Sequence, residues 1–129
     1  FQHEWFLWGS MISLERVIEI FIAEGFDVFS ANGGSVQLVY LPVSMNYQGR
    51  LITISYDDYQ QGKCIFPKFK IASKNYRPQM SYDYGDVVDF NTISETDLLQ
   101  KVHDLMQEAI LINKQIIQAK RTNKIKKYF

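Results

Sequence analysis

Two carboxylates stand side by side at Asp57-Asp58, just past an alternating apolar run, where metal-dependent phosphoryl-transfer enzymes often present acids to a divalent ion. Such a site needs a further acid followed by lysine on a neighbouring strand. None follows, because Lys68-Phe69-Lys70 has the lysines without the acid. Adjacent acids ahead of Gly62 read as turn chemistry. Asp83, Asp86 and Asp89 recur every third residue around Gly85, whereas calcium loops of the EF-hand type take ligands at alternate positions and close on a glutamate. They read as solvated acids. His103 has no cysteine or second histidine at ligand spacing, since His3 lies in a segment set aside below. Cys64, the single cysteine, has no sequence-local partner to activate it. No nucleophile elbow, P-loop or Gly-rich dinucleotide turn occurs. These patterns point to a chain that is not an enzyme and carries no cofactor or metal.

Other residues point to recognition. The tail K-R-T-N-K-I-K-K-Y-F holds Lys120, Arg121, Lys124, Lys126 and Lys127 and has the chemistry to contact phosphates. Phe66, Lys68 and Lys70 fall on one side of an alternating run. Placed outward, they combine stacking and charge as single-strand binders do. Tyr76, Tyr82 and Tyr84 crowd an irregular stretch, and tyrosine suits protein interfaces because its ring is apolar and its tip polar. With Phe66 they are the candidate protein-binding residues. Asn113 falls in the middle of an apolar helix face. Either it bonds to sheet or loop backbone, or it fixes the register of a helix–helix homodimer, as polar core positions do in coiled coils.

The elements that must position these groups start from Ser94–Lys120. Leu98, Val102, Leu105, Ala109, Ile112, Ile116 and Ala119 recur at spacings of four and three. Leu99, Met106, Ile110 and Ile117 widen that seam to about half the circumference of a helix. Ser94 can cap it, with Glu95 and Asp97 at its positive end and Lys120 and Arg121 at its negative end. A first helix opens at Ser13, with Leu14, Val17, Ile18, Phe21 and Ile22 as its buried stripe and Gly25 as the left-handed stop. Asp27–Ser30 and Val36–Leu41 read as strands around the hairpin signal Asn32-Gly33-Gly34. Leu51–Tyr56 alternates, with Ile52, Ile54 and Tyr56 inward. In Lys63–Ala72 the inward set is Ile65, Phe69 and Ile71. Lys74–Gly85 reads as a long loop, and Asp86–Phe90 as a short edge strand.

At 129 residues, 47% hydrophobic and 22% charged, the chain suits one α+β domain at 11–129. The predicted architecture is an antiparallel sheet of four or five strands, with an N-terminal helix and a long C-terminal helix packed on it. Residues 1–10 read as an expression-tag or linker remnant, because Gly9-Ser10 directly precedes Met11. Trp5 and Trp8 within them should find an exposed apolar surface. No apolar run approaches the roughly 18 residues of a membrane helix, so no membrane partner is expected. A single cysteine fits the cytoplasm. Zero net charge argues against wholesale attraction to nucleic acid, although the mean hides the basic tail. The order α-β-β-β-α resembles double-stranded-RNA-binding domains. That family starts its last helix with basic residues, where Ser94-Glu95-Thr96-Asp97 is acidic, and its module is shorter, so membership is rejected. Usage of Ile, Lys, Asn, Tyr and Phe resembles products of AT-rich genomes and their phages. The reading is a non-catalytic, protein-binding regulator or inhibitor of phage or mobile-element type, with nucleic-acid binding through the tail and the Phe66/Lys68/Lys70 face as the alternative.

Overall fold

The computed structural model describes residues 12–45, 47–56, 62–74 and 77–126. Residues 1–10, Asp57, Asp58, Tyr76 and Lys127, all singled out above, lie outside them. The elements are α1 (Leu14–Ala23), β1 (Asp27–Ala31), β2 (Val36–Tyr40), β3 (Arg50–Ser55), β4 (Lys63–Lys74), β5 (Arg77–Asp89) and α2 (Glu95–Lys126). The strands form one antiparallel sheet in the order β1-β2-β3-β4-β5, so the fold is α+β, as predicted.

Local chemistry explains the ends of the elements. The Ser13 side chain accepts the Arg16 N–H at 3.2 Å, which satisfies one of the free donors of the first turn of α1. Gly25 takes φ of 98°, and the Phe26 N–H reaches back to the Phe21 carbonyl at 3.1 Å, so the chain turns into β1 with Phe26 buried. Asn32, Gly33 and Gly34 all adopt positive φ in the β1–β2 connection. The buried stripe of α1 is Val17, Ile20 and Phe21, with Leu14 partly buried, while Ile22 is exposed. The face is thus rotated from the predicted one toward Ile20, because α1 packs on β1 and also meets α2.

On the sheet, Val28 pairs with Val39 and Val39 with Ile52, and all three face the helices. Gln37, on the same side, is buried but satisfied. Its Oε1 accepts from the Ser30 hydroxyl at 2.9 Å, and its Nε2 donates to the Gly34 carbonyl at 3.0 Å. Val39 and Leu41 belong to the core, and Leu38 and Tyr40 turn away from it.

The largest departure from the sequence reading is β5. The predicted loop Lys74–Gly85 is mostly strand, and β4 with β5 makes a long hairpin paired from Lys63↔Asp89 to Lys74↔Arg77. Pro78 is tolerated because β5 is an edge strand. Within the hairpin Ile65 opposes Val87 and Pro67 opposes Tyr84, leaving Gly85 and Asp86 opposite Phe66 alone. This bulge adds twist, and the buried side changes across it: Cys64 and Phe66 before Pro67, Phe69 after it.

Helix α2 starts with the Asp97 N–H on the Ser94 hydroxyl at 3.1 Å and lays Leu98, Val102, Leu105, Met106 and Ala109 into the core, with Ile116 buried further along. It also closes an open edge. β3 has six residues to the twelve of β4 and pairs antiparallel with it from Ser55↔Lys63, so β4 runs on past the Arg50 end of β3. There the Phe69 N–H donates to Glu108 Oε1 at 2.8 Å. Among the described residues no helix is long and apolar enough to cross a membrane.

The packing orientation is checked by a pair of leucines on α2. Leu98→Ala should cost about 2–5 kcal/mol in urea unfolding. Leu111→Ala, at a position 56% exposed, should change stability by no more than about 0.5 kcal/mol.

Candidate recognition surface

The predicted site residues scatter. Phe66, expected outward, is 7% exposed and lies 5.8 Å from the Phe21 ring, centroid to centroid. It is a core residue, and the aromatic part of the proposed Phe66/Lys68/Lys70 face is lost with it. The physical reason is the neighbouring bulge, which lets Ile65 rather than Phe66 face solvent at the start of β4. Lys70 is exposed and pairs with Asp83 at 2.8 Å. Lys68 is exposed beside a cavity of about 340 Å³, where Asp86, Lys101, Asp104 and Glu108 mix both signs of charge.

The tyrosines stand on a strand rather than a loop. Tyr82 is half-buried; its hydroxyl donates to the Arg50 carbonyl at 3.0 Å, and its ring meets Tyr47 edge-on at 6.1 Å. Burial beside Tyr82 pushes the Tyr47 phenol above its ordinary pKa. Tyr84, by contrast, is 80% exposed.

Asn113 is half-buried on α2 and lines a second cavity with Tyr47, Gln79, Met80 and Lys120. The stripe that a helix–helix dimer would use packs on its own sheet as far as Ile116, which leaves Leu99, Leu111 and Ile117 exposed on that helix. Lys120 and Arg121 are exposed on the last turns, and Lys124 and Lys126 belong to the same helical backbone.

The acids and the imidazole do not converge. Asp83 serves Lys70. Asp89 accepts the Asn91 backbone and side-chain N–H groups, both at 2.9 Å, and these hold its carboxyl below the usual range. His103 Nδ1 lies 3.1 Å from Glu24 Oε2, a link between α2 and the end of α1. Arg16 makes a similar link, from its Nε to Glu95 Oε1 at 2.6 Å. Among the described residues no group of three or more His, Cys, Asp or Glu is placed to hold a metal ion.

What the sequence reading missed is the sheet face turned away from the helices. Pairing places Phe29 beside Leu38 and Leu38 beside Thr53, while Ile65 faces Val87 on the same side of β4 and β5. Phe29 is 58%, Ile65 44% and Val87 64% exposed, and Phe29 meets the Tyr40 ring edge-on at 5.5 Å. Apolar groups on β1–β2 and on β4–β5 thus flank Thr53 of β3 on this face, and Tyr84, on the Tyr82 side of β5, stands exposed past the bulge. The alternation Met80-Ser81-Tyr82-Asp83-Tyr84 carried the signal for the strand that completes it. Comparison of the chain with protein-family models, with curated proteins and with solved structures finds no match.

Burial pushes the Cys64 thiol up to about 12 and also raises the Tyr56 phenol. Both groups are neutral when protonated, so the stability they contribute is present below their unfolded pKa values. It is lost as pH rises, for Cys64 across the window from about 9 to about 12. Native protein at pH 8 should leave Cys64 unreacted with a thiol reagent over minutes, whereas urea should expose one fast-reacting thiol. Removing the carboxylate that caps β4, by Glu108→Ala, should cost about 1–3 kcal/mol, and Glu108→Gln should recover most of that loss in the same unfolding assay.

Proposed function

We propose that the chain recognises another protein without catalysis, through the sheet face opposite the helices. The supporting observation is the set of apolar groups Phe29, Leu38, Ile65 and Val87 on that face, with Tyr84 exposed past the bulge. Exposed aliphatic and aromatic surface of this kind forms the centre of protein interfaces. By register, Asp27, Arg50 and Lys63 lie on the same face and supply a rim of mixed charge, which favours a partner of balanced rather than uniform charge. The reading includes a regulator or inhibitor that acts by covering its partner's surface. A phage or mobile-element source for it rests on residue usage alone, and a cytoplasmic home on one cysteine kept as a buried free thiol.

The test compares partners retained from a lysate by the unaltered chain, by Phe29→Asp/Val87→Asp, and by Lys101→Glu on the helical side as control. Both aspartates enter exposed positions, so unfolding midpoints should stay close to that of the parent. Proteins held by the parent and by Lys101→Glu should fall at least tenfold with the double aspartate. Equal recovery by the double aspartate would remove the sheet face from consideration.

A further inference from the structure

Two stretches of the chain carry cations and no acid. Residues 59–82 hold Lys63, Lys68, Lys70, Lys74 and Arg77, and residues 109–129 hold Lys114 and the five cations of the tail. They are remote in sequence. Among the described residues, Lys70 and Arg77 near the hairpin tip and Lys114, Lys120 and Arg121 on α2 come to one end of the molecule, whereas Lys63 stays at the other end of β4 opposite Asp89. The fixed point is the contact between Glu108 and the Phe69 N–H. From Glu108 to Lys120 the helix rises about 18 Å. From Phe69 to Lys74 the strand rises about 17 Å. Helix end and hairpin tip are therefore level, and they meet across a cavity of about 320 Å³. Gln79 and Met80 of β5 form one wall, Asn113 and Lys120 of α2 another, and Tyr47 and Gln48 from the segment before β3 close the third. Acids lie at the opposite end, with Glu15 in the first turn of α1 and Glu95 and Asp97 in the first turn of α2, around Arg16, which pairs with Glu19 and Glu95. Zero net charge conceals a molecule with two poles.

We infer that the basic pole binds single-stranded nucleic acid, with one base in this cavity and the flanking phosphates on Arg77, Lys120 and Arg121. The cavity chemistry selects this ligand. Three amides, Gln48, Gln79 and Asn113, offer both donors and acceptors to a base edge, while the Tyr47 ring and the Met80 side chain offer surface to its face. A duplex keeps its bases stacked and cannot fill the cavity. An acidic protein would use the cations and leave the amides unserved. A membrane surface needs a free apolar helix face, and that of α2 is packed on the sheet as far as Ile116. The site is independent of the sheet face proposed above for a protein partner, and it gives Asn113 a role that register in a dimer does not.

Fluorescence anisotropy of a labelled thymidine oligonucleotide, titrated with the full chain at several salt concentrations, tests the inference. Binding should weaken with salt. Lys120→Ala/Arg121→Ala should lower affinity at least tenfold and reduce the log–log salt slope by about 1.4, or about 0.7 per lost phosphate contact. Gln79→Ala, at an exposed position, and Tyr47→Ala should each weaken the oligonucleotide by roughly fivefold or more while leaving a heparin fragment of equal charge unaffected. Tyr47 packs against Tyr82, so the exposed Gln79 variant guards against a loss of fold. The inference is overturned by any of four results: no binding at low salt, equal affinity for heparin and oligonucleotide, binding confined to anionic vesicles or to duplex, or unchanged affinity in Lys120→Ala/Arg121→Ala.

Discussion

The structure depends on a mismatch of strand lengths. β3 has six residues, whereas β4 and β5 have twelve and thirteen, so toward its tip the β4–β5 hairpin loses its neighbour on the β4 side. A row of backbone donors and acceptors left open there would invite pairing with another chain. Here Glu108 of α2 accepts the Phe69 N–H, while Tyr47 and Tyr82 pack edge to face and the Tyr82 hydroxyl donates to the Arg50 carbonyl. The length of α2 follows from this duty. It must cover the core at Leu98 and Val102 and still reach Ile116 beside the far half of the hairpin. Where its cations come to rest is a by-product of that reach.

The helices were legible because each carries its own punctuation. Ser13, Gly25 and Ser94 act as caps through the contacts their side chains or φ values predict. The periodicity of α2 also identified its buried residues, since Leu98, Val102, Leu105 and Ala109 all face the sheet. The sheet was less legible for two physical reasons. Strand β5 is polar along most of its length because it is an edge, and Pro78 with Asn75 and Gly85 nearby gives the composition of a loop. Its alternation is present, but Pro78 and Gly85 interrupt it. The second reason is the bulge opposite Phe66. A period of two assigns every side chain of a strand to one of two fixed sides, and it has no means to show a ribbon that rotates part-way along. Cys64, Phe66 and Phe69 are all buried, which no unbroken alternation permits.

The candidate surfaces share this origin. Phe29 and Val87 are exposed because both helices lie on the other side of the sheet, and neither residue stands out until the strands are placed in register. Tyr47 and Gln79 could not be joined from the sequence, because one precedes β3 and the other follows the tip of a hairpin read as a loop. Asn113 was noticed for its polarity on an apolar face. Its partners across the cavity come from elements whose arrangement depends on the β4–β5 pairing.

Every strand pairs with the one before it in the chain, so the sheet is a simple meander. Hairpins of this kind zip up from short loops, and the low separation of their contacts favours fast assembly. The sheet's helix-facing side, however, is finished by α2, which follows all five strands in chain order. Until α2 docks, Val39, Ile52 and Val88 lack the cover that its buried stripe provides. A chain made in order therefore passes through a stage with its greasiest surface open, in which docking of that helix competes with self-association.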